Sequence, residues 1–189
     1  MKKAYGTVIR ADAKHLDNIT QAIHELDTQS DRAAAIVAAT ILDLTLSEAL
    51  RVYLHENENI TKDFFALSGP VGDFGPKIDL AFLVGLVDEE TWRDLITVKN
   101  IRNYFAHRLS VSDFKSEAIA ALSKDLKIAE IRTFDLESKP KKWPEGCWMS
   151  VENRKEILAD PRERFLLTVH VLCYGLSIPG KTAMPAPTF

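Results

Sequence analysis

The segment KNIRNYFAHR, residues 99–108, contains the side chains whose types and spacing are best suited to chemistry. On a helix, at about 100° per residue, Arg102, Asn103 and His107 fall on one polar arc, and Asn103 and His107 are neighbours four residues apart. An amide can fix the tautomer of an adjacent imidazole. A guanidinium can stabilise an anionic phosphorane, while histidine moves the proton of a 2′-hydroxyl nucleophile or of the leaving oxygen. These three residues are therefore the candidate catalytic site, for phosphodiester cleavage without a metal.

A structural role for the same residues is the competing interpretation. In the last turn of a helix, His107 can interact with unpaired carbonyl groups and with the negative end of the helix dipole. Arg102 can pair with an acid such as Asp94, Asp79 or Asp113. Spacing alone favours this structural role over catalysis.

Metal and cofactor sites have little support in the sequence. The other four histidines, which lack metal-ligand spacing, are His15, His24, His55 and His170. The two cysteines, Cys147 and Cys173, are not in a C-x-x-C pair, so neither zinc nor a disulfide framework is indicated. The glycine-rich stretch SGPVGDFG, residues 68–75, follows no predicted strand and has neither a Walker nor a Rossmann pattern. We predict no metal, no cofactor and a reducing, cytoplasmic location.

The charge balance argues against direct binding of duplex DNA. The chain has 24 Lys and Arg against 27 Asp and Glu, a formal net charge of −3, so it lacks the basic footprint of a DNA reader. One local basic and aromatic cluster could bind a nucleic-acid strand, although a solvated loop is the favoured interpretation; it comprises Lys139, Lys141, Lys142, Trp143 and Trp148. The N-terminal residues MKKAYGTVIR are too polar for a signal peptide, and no run approaches the roughly 18 apolar residues of a membrane span. We therefore expect no membrane association.

Hydrophobic periodicity predicts an all-α bundle of five to seven helices. The predicted helices span residues 12–28, 33–54, 61–67, 76–86, 89 to 107 or 108, 112 or 116 to 126, and 160–177. Expected N-terminal signals are Ser30 or Asp31, Pro76, Asp88 and the Asp160–Pro161 pair. The helix from residue 89 presents a core face of Trp92, Leu95, Val98, Ile101 and Phe105. For the helix over 33–54 the expected core face is Ile36, Val37, Ile41, Leu44, Ala49, Val52 and Tyr53.

We expect a single helical domain over residues 1–189. Its core covers about 30–126, and a turn-rich insertion, with one strand over 127–136, precedes the last helix and fills 127–159. The C-terminal helix covers about 160–177, and residues 178–189 form a frayed tail.

The stretch GPVGDFGPKIDLAFLVGLVDEETWRDLITVKNIRNYFAHRL, residues 69–109, resembles the core of the mannitol operon repressor (MtlR) family. Members of that family show a similar pattern of Gly-Pro, Phe-Gly, Lys-Ile-x-Leu-Ala, Gly-Leu and Arg-Asn-x-Phe-Ala-His. The resemblance extends over about residues 30–126. It implies an all-helical transcriptional regulator, of the carbohydrate-operon repressor type, that lacks its own helix-turn-helix and acts through protein partners.

The spacing of Arg102 and His107 is also similar to the R-x(4–6)-H signature of HEPN domains, which are small helical bundles. That resemblance implies a metal-independent endoribonuclease acting on RNA, with its active site at a homodimer interface. Arg102 would bind phosphate, His107 would be the acid/base and Asn103 would position it. The regulator is the favoured hypothesis, because the longer resemblance is to the regulator family and no basic channel for RNA is visible.

Overall fold

The computed structural model describes residues 13–54, 57–109, 113–128, 130 and 154–177. These residues form eight α-helices and one 3-10 helix, and contain no strand. The helices are α1 (Ala13–His24), the 3-10 helix Glu25–Thr28, α2 (Asp31–Tyr53), α3 (Glu58–Phe64), α4 (Phe74–Leu83), α5 (Glu89–His107), α6 (Glu117–Asp125), α7 (Arg154–Ala159) and α8 (Pro161–Ser177). The predicted all-α multi-helix bundle is confirmed, and α7 adds a short helix inside the stretch predicted as insertion.

Some predictions fall on residues outside these ranges. They concern the N-terminal ten residues, His55, the lysine and tryptophan cluster at 139–148, Cys147 and the tail at 178–189. The division of the chain into core, insertion and tail stays a prediction.

Polar side chains fix three helix starts at the predicted positions. Each oxygen accepts a hydrogen bond from a backbone N–H of the first turn and so satisfies a group that has no partner within the helix. The caps are Ser30 to Ala33 at 3.3 Å, Asp88 to Thr91 at 2.8 Å and Asp160 to Glu163 at 3.1 Å. The starts of α2, α5 and α8 follow from these short-range contacts.

Helix α2 is the centre of the bundle and packs against α4, α5 and α8. Its predicted core face is wrong at four positions: Val37, Leu44, Val52 and Tyr53 are 43% to 61% exposed, whereas the predicted Ile41 and Ala49 do pack against the core. The residues that α2 buries are Ala34, Ala35, Ala38, Ala39, Leu42, Thr45, Leu46 and Leu50. The alanines let neighbouring helices approach closely, and three leucines fill the core beside them, whereas the four larger side chains named above lie toward solvent. By length and composition α2 would also suit a membrane span, a property it shares with core helices of water-soluble bundles.

Glycines shape the turn between α3 and α4. A Cβ on Gly69 would lie 2.2 Å from the carbonyl oxygen of Asp63, and one on Gly72 would lie 2.4 Å from that of Ala66. Only glycine fits such close approaches to the backbone. The predicted bounds on either side shift, because Asn57 caps α3 and α4 begins at Phe74, two residues before the predicted Pro76.

The strand predicted over 127–136 is wrong at its beginning, where Ile128 and Glu130 have helical backbone conformations. Asp94, on α5, accepts hydrogen bonds from the backbone nitrogens of Lys127 at 2.9 Å and Ile128 at 2.6 Å. A distant carboxylate therefore caps this turn as a local N-cap residue would. The rest of the predicted strand lies outside the described residues.

Candidate functional site

Helix α5 separates its core face from its polar arc, as the periodicity predicts. Leu95, Val98, Ile101 and Phe105 are fully buried. Phe105 packs against Phe114 with tilted rings whose centroids lie 5.0 Å apart, and Phe114 in turn packs against Phe165 of α8. Because this face of α5 is packed into the core, its polar face lies toward solvent.

The three predicted site residues all lie on the outer face of α5. Arg102 and His107 are exposed and Asn103 is half-buried. Nη1 of Arg102 donates a hydrogen bond to Oδ1 of Asn103 at 2.9 Å. Among the described residues, no hydrogen bond joins Asn103 to His107. The structure thus brings Arg102 and Asn103 together directly and leaves the imidazole one turn further along.

The acids considered as partners for Arg102 are engaged elsewhere. Asp79 accepts a hydrogen bond from Nε1 of Trp92 at 3.1 Å. Asp94 holds the turn after α6, and Asp113 accepts one from the backbone nitrogen of Lys115 at 3.0 Å. Within the described part of the chain, no carboxylate lies within ion-pair distance of Arg102. Its charge is therefore available at the surface.

A shallow, open depression of about 410 Å³ lies between the C-terminal half of α5 and helix α6. It is lined by Asn100, Asn103, Tyr104, His107, Arg108 and Leu122. The guanidinium of Arg108 lies over the ring of Tyr104, 4.4 Å from its centroid. Four of these lining residues were not predicted from the sequence as site residues: Asn100, Tyr104, Arg108 and Leu122. The signal for Asn100 and Tyr104 was the spacing of residues 100, 103, 104 and 107, which places four side chains on one helix face.

Arg32, on α2, closes the C-terminal end of α5. Its guanidinium donates to the carbonyl oxygen of Phe105, to that of Arg108 at 3.2 Å and to that of Leu109 at 3.3 Å. The preceding residue, Asp31, accepts a hydrogen bond from the backbone nitrogen of Phe114 at 2.8 Å. Arg32 thus caps the carbonyl groups for which His107 was considered. Arg32 and its neighbour Asp31, both on α2, bind the chain just before and just after the segment that follows α5.

Three buried titratable groups have shifted pKa values, and all lie away from the depression. Burial raises the pKa of Asp94, although the N–H groups of Ile128 and Lys127 oppose that shift. Burial lowers the pKa of His170 and raises that of Cys173 to about 12. Among the described residues, no group of three or more His, Cys, Asp or Glu side chains is arranged to hold a metal ion.

Comparison with solved structures shows that other proteins share this helical-bundle fold. No protein-family model matches the sequence, and no curated protein matches it. Among solved structures, one similar chain is YggD, a possible transcriptional regulator from Shigella flexneri, at 16% identity and a TM-score of 0.61, covering 85% of this chain and 98% of that one. Another comes from the MtlR–HPr complex of Escherichia coli, at 14% identity and a TM-score of 0.62, covering 86% of this chain and 98% of that one. The chain therefore has an MtlR-like fold.

Proposed function

We propose that this protein is a helical regulator of gene expression that acts by binding a protein partner rather than by reading DNA itself. The observation that carries the proposal is the likeness to a chain from the MtlR–HPr complex, which extends over 86% of this chain and 98% of that one. The shared fold is therefore the whole bundle rather than a common helical hairpin. The net charge of −3 supports a protein partner, because a duplex-DNA reader gains most of its affinity from cations placed against phosphates.

The experiment is a calorimetric titration of the full chain with HPr from the same organism. We expect saturable binding, together with no shift of short duplex DNA at low salt, where non-specific DNA binding is strongest. A chain that binds duplex DNA at physiological salt and does not bind HPr would contradict the proposal.

A metal-independent endoribonuclease is the second candidate function. The observation in its favour is that Arg102 and His107 are exposed on one face of α5, with Arg102 bonded to the amide of Asn103. An available guanidinium and imidazole are the groups that such cleavage requires. In this candidate, Arg102 and His107 act at a homodimer interface, where a second copy supplies the same residues. Comparing wild type with His107→Ala in an RNA-cleavage assay separates the two functions.

A further inference from the structure

The depression beside the C-terminal half of α5 combines unpaired donors with positive charge. Among the described residues, neither the side chain of Asn100 nor that of His107 has a hydrogen-bond partner, and Arg102, beside the depression, uses one of its N–H groups on Asn103. None of the six lining residues is acidic. The acids of α5, Glu89, Glu90 and Asp94, lie in its first two turns. Donors with positive charge are complementary to carboxylate oxygens.

The end of a helix would ordinarily repel an anion, because its last carbonyl groups carry partial negative charge. Arg32 removes this obstacle, since its guanidinium covers the carbonyl oxygens of Phe105, Arg108 and Leu109. The cation from α2 thus compensates the negative end of α5 beside the depression. Arg102, on α5, and Arg108, which follows its last residue, are both exposed.

The same surface has the composition of a protein interface. Arg108 is stacked on Tyr104, which fixes the plane of the guanidinium while its N–H edge stays available. Leu122 lines the depression, and Leu109, which follows Arg108, is 90% exposed. Tyrosine and arginine are enriched among the residues that contribute most to protein–protein binding.

We infer that this surface, formed by Asn100, Asn103, Tyr104, His107 and Arg108, with Arg102 beside it through its hydrogen bond to Asn103, docks an acidic segment of a partner protein. The inference rests on the proposed function, since it names the surface and the charge of the partner. A short acidic segment fits better than an RNA strand, because an RNA strand gains its affinity from a longer track of cations than the lining of this depression provides.

The test is a fluorescence-anisotropy titration of the full chain with a labelled peptide of sequence EEELEEE, and with KKKLKKK as the opposite-charge control. We expect the acidic peptide to bind and to weaken as salt rises. Arg108→Glu should weaken its binding at least about tenfold, because an attractive charge becomes repulsive. The matched control is Arg93→Glu on the same helix, where the side chain is 68% exposed and pairs with Glu89 away from the depression. That variant should bind as wild type does, and both variants should retain the wild-type circular dichroism and melting temperature.

Two results would overturn the inference. One is acidic-peptide binding that is absent or is unchanged by Arg108→Glu. The other is a short single-stranded RNA that binds more tightly than the peptide and loses its affinity in Arg108→Glu, since the surface would then serve nucleic acid. Failure of the inference is distinguishable from failure of the proposed function. If wild type and Arg108→Glu bind HPr equally while the peptide does not bind, the docking surface is wrong and the regulator stands.

Discussion

The guanidinium of Arg32, on α2, lies 3.2 Å from the carbonyl oxygen of Arg108, the C-cap residue of α5. The contact joins residues 76 positions apart in the chain and satisfies a carbonyl group that no later turn of α5 can reach. His107 is thereby relieved of a capping role, and its side chain lies in the depression instead. One cation from the central helix thus compensates the partial negative charge of the end of α5, next to the depression.

Replacing Arg32 should therefore cost more stability than replacing His107. We expect Arg32→Met to lower the free energy of unfolding by about 1–3 kcal/mol, because it leaves several carbonyl groups without a charged donor. His107→Ala should change it by less than about 0.5 kcal/mol, as is usual for an exposed side chain. Urea denaturation followed by circular dichroism measures both. The opposite order would show that His107, and not Arg32, stabilises this helix end.

Replacing either of two nearby glycines, Gly69 and Gly75, by alanine should have opposite effects on stability. In Gly69→Ala the new Cβ would lie 2.2 Å from the carbonyl oxygen of Asp63, so the turn must distort, and we expect a loss of about 2 kcal/mol or more. In Gly75→Ala, within α4, the nearest atom is Nζ of Lys99 at an ordinary 3.6 Å. That variant should be neutral or up to about 1 kcal/mol more stable, because alanine favours helix. Thermal unfolding of the two variants tests this prediction. Equal changes in their melting temperatures would contradict it.

Burial of His170 predicts part of the pH dependence of stability. Its folded-state pKa is lowered below the ordinary value of 6.5. The unfolded chain therefore binds the proton more readily. The neutral, buried His170 contributes fully to the free energy of unfolding above pH 6.5. That contribution is lost as the pH falls toward the lowered folded-state pKa. The stability of wild type relative to His170→Gln should thus be smaller at about pH 5.5 than at about pH 7.5. Urea denaturation at both pH values measures the difference, and parallel profiles for the two proteins would contradict the assignment.

Local signals in the sequence predicted much of the fold. Ser30, Asp88 and Asp160 are short-range caps whose effect is confined to one turn, so the sequence alone locates the starts of α2, α5 and α8. The core face of α5 was also predictable, because charged and polar residues interrupt its apolar positions at helical spacing. The same alternation placed Arg102, Asn103 and His107 on the outer face.

The sequence-based predictions failed where neighbouring residues do not distinguish a buried face from an exposed one, or where the contact is far away in the chain. Helix α2 is apolar on nearly all sides, and the small alanines at its core positions have a weaker hydrophobic signal than Val37 and Leu44 on its exposed side. Arg32 and Asp94 act on carbonyl and N–H groups 33 to 77 residues away, and contacts at that range depend on the packing of the whole bundle. No spacing rule predicts them.

The central claim, that this protein works by docking a protein partner rather than by catalysis, is tested most directly by an RNA-cleavage assay. A mixed-sequence single-stranded RNA is incubated in excess EDTA with wild type and with His107→Ala, after both are shown to be folded and of equal oligomeric state. We predict that neither protein cleaves the RNA. Cleavage by wild type that leaves 2′,3′-cyclic phosphate ends, and that is lost in His107→Ala, would establish a metal-independent nuclease and contradict the claim.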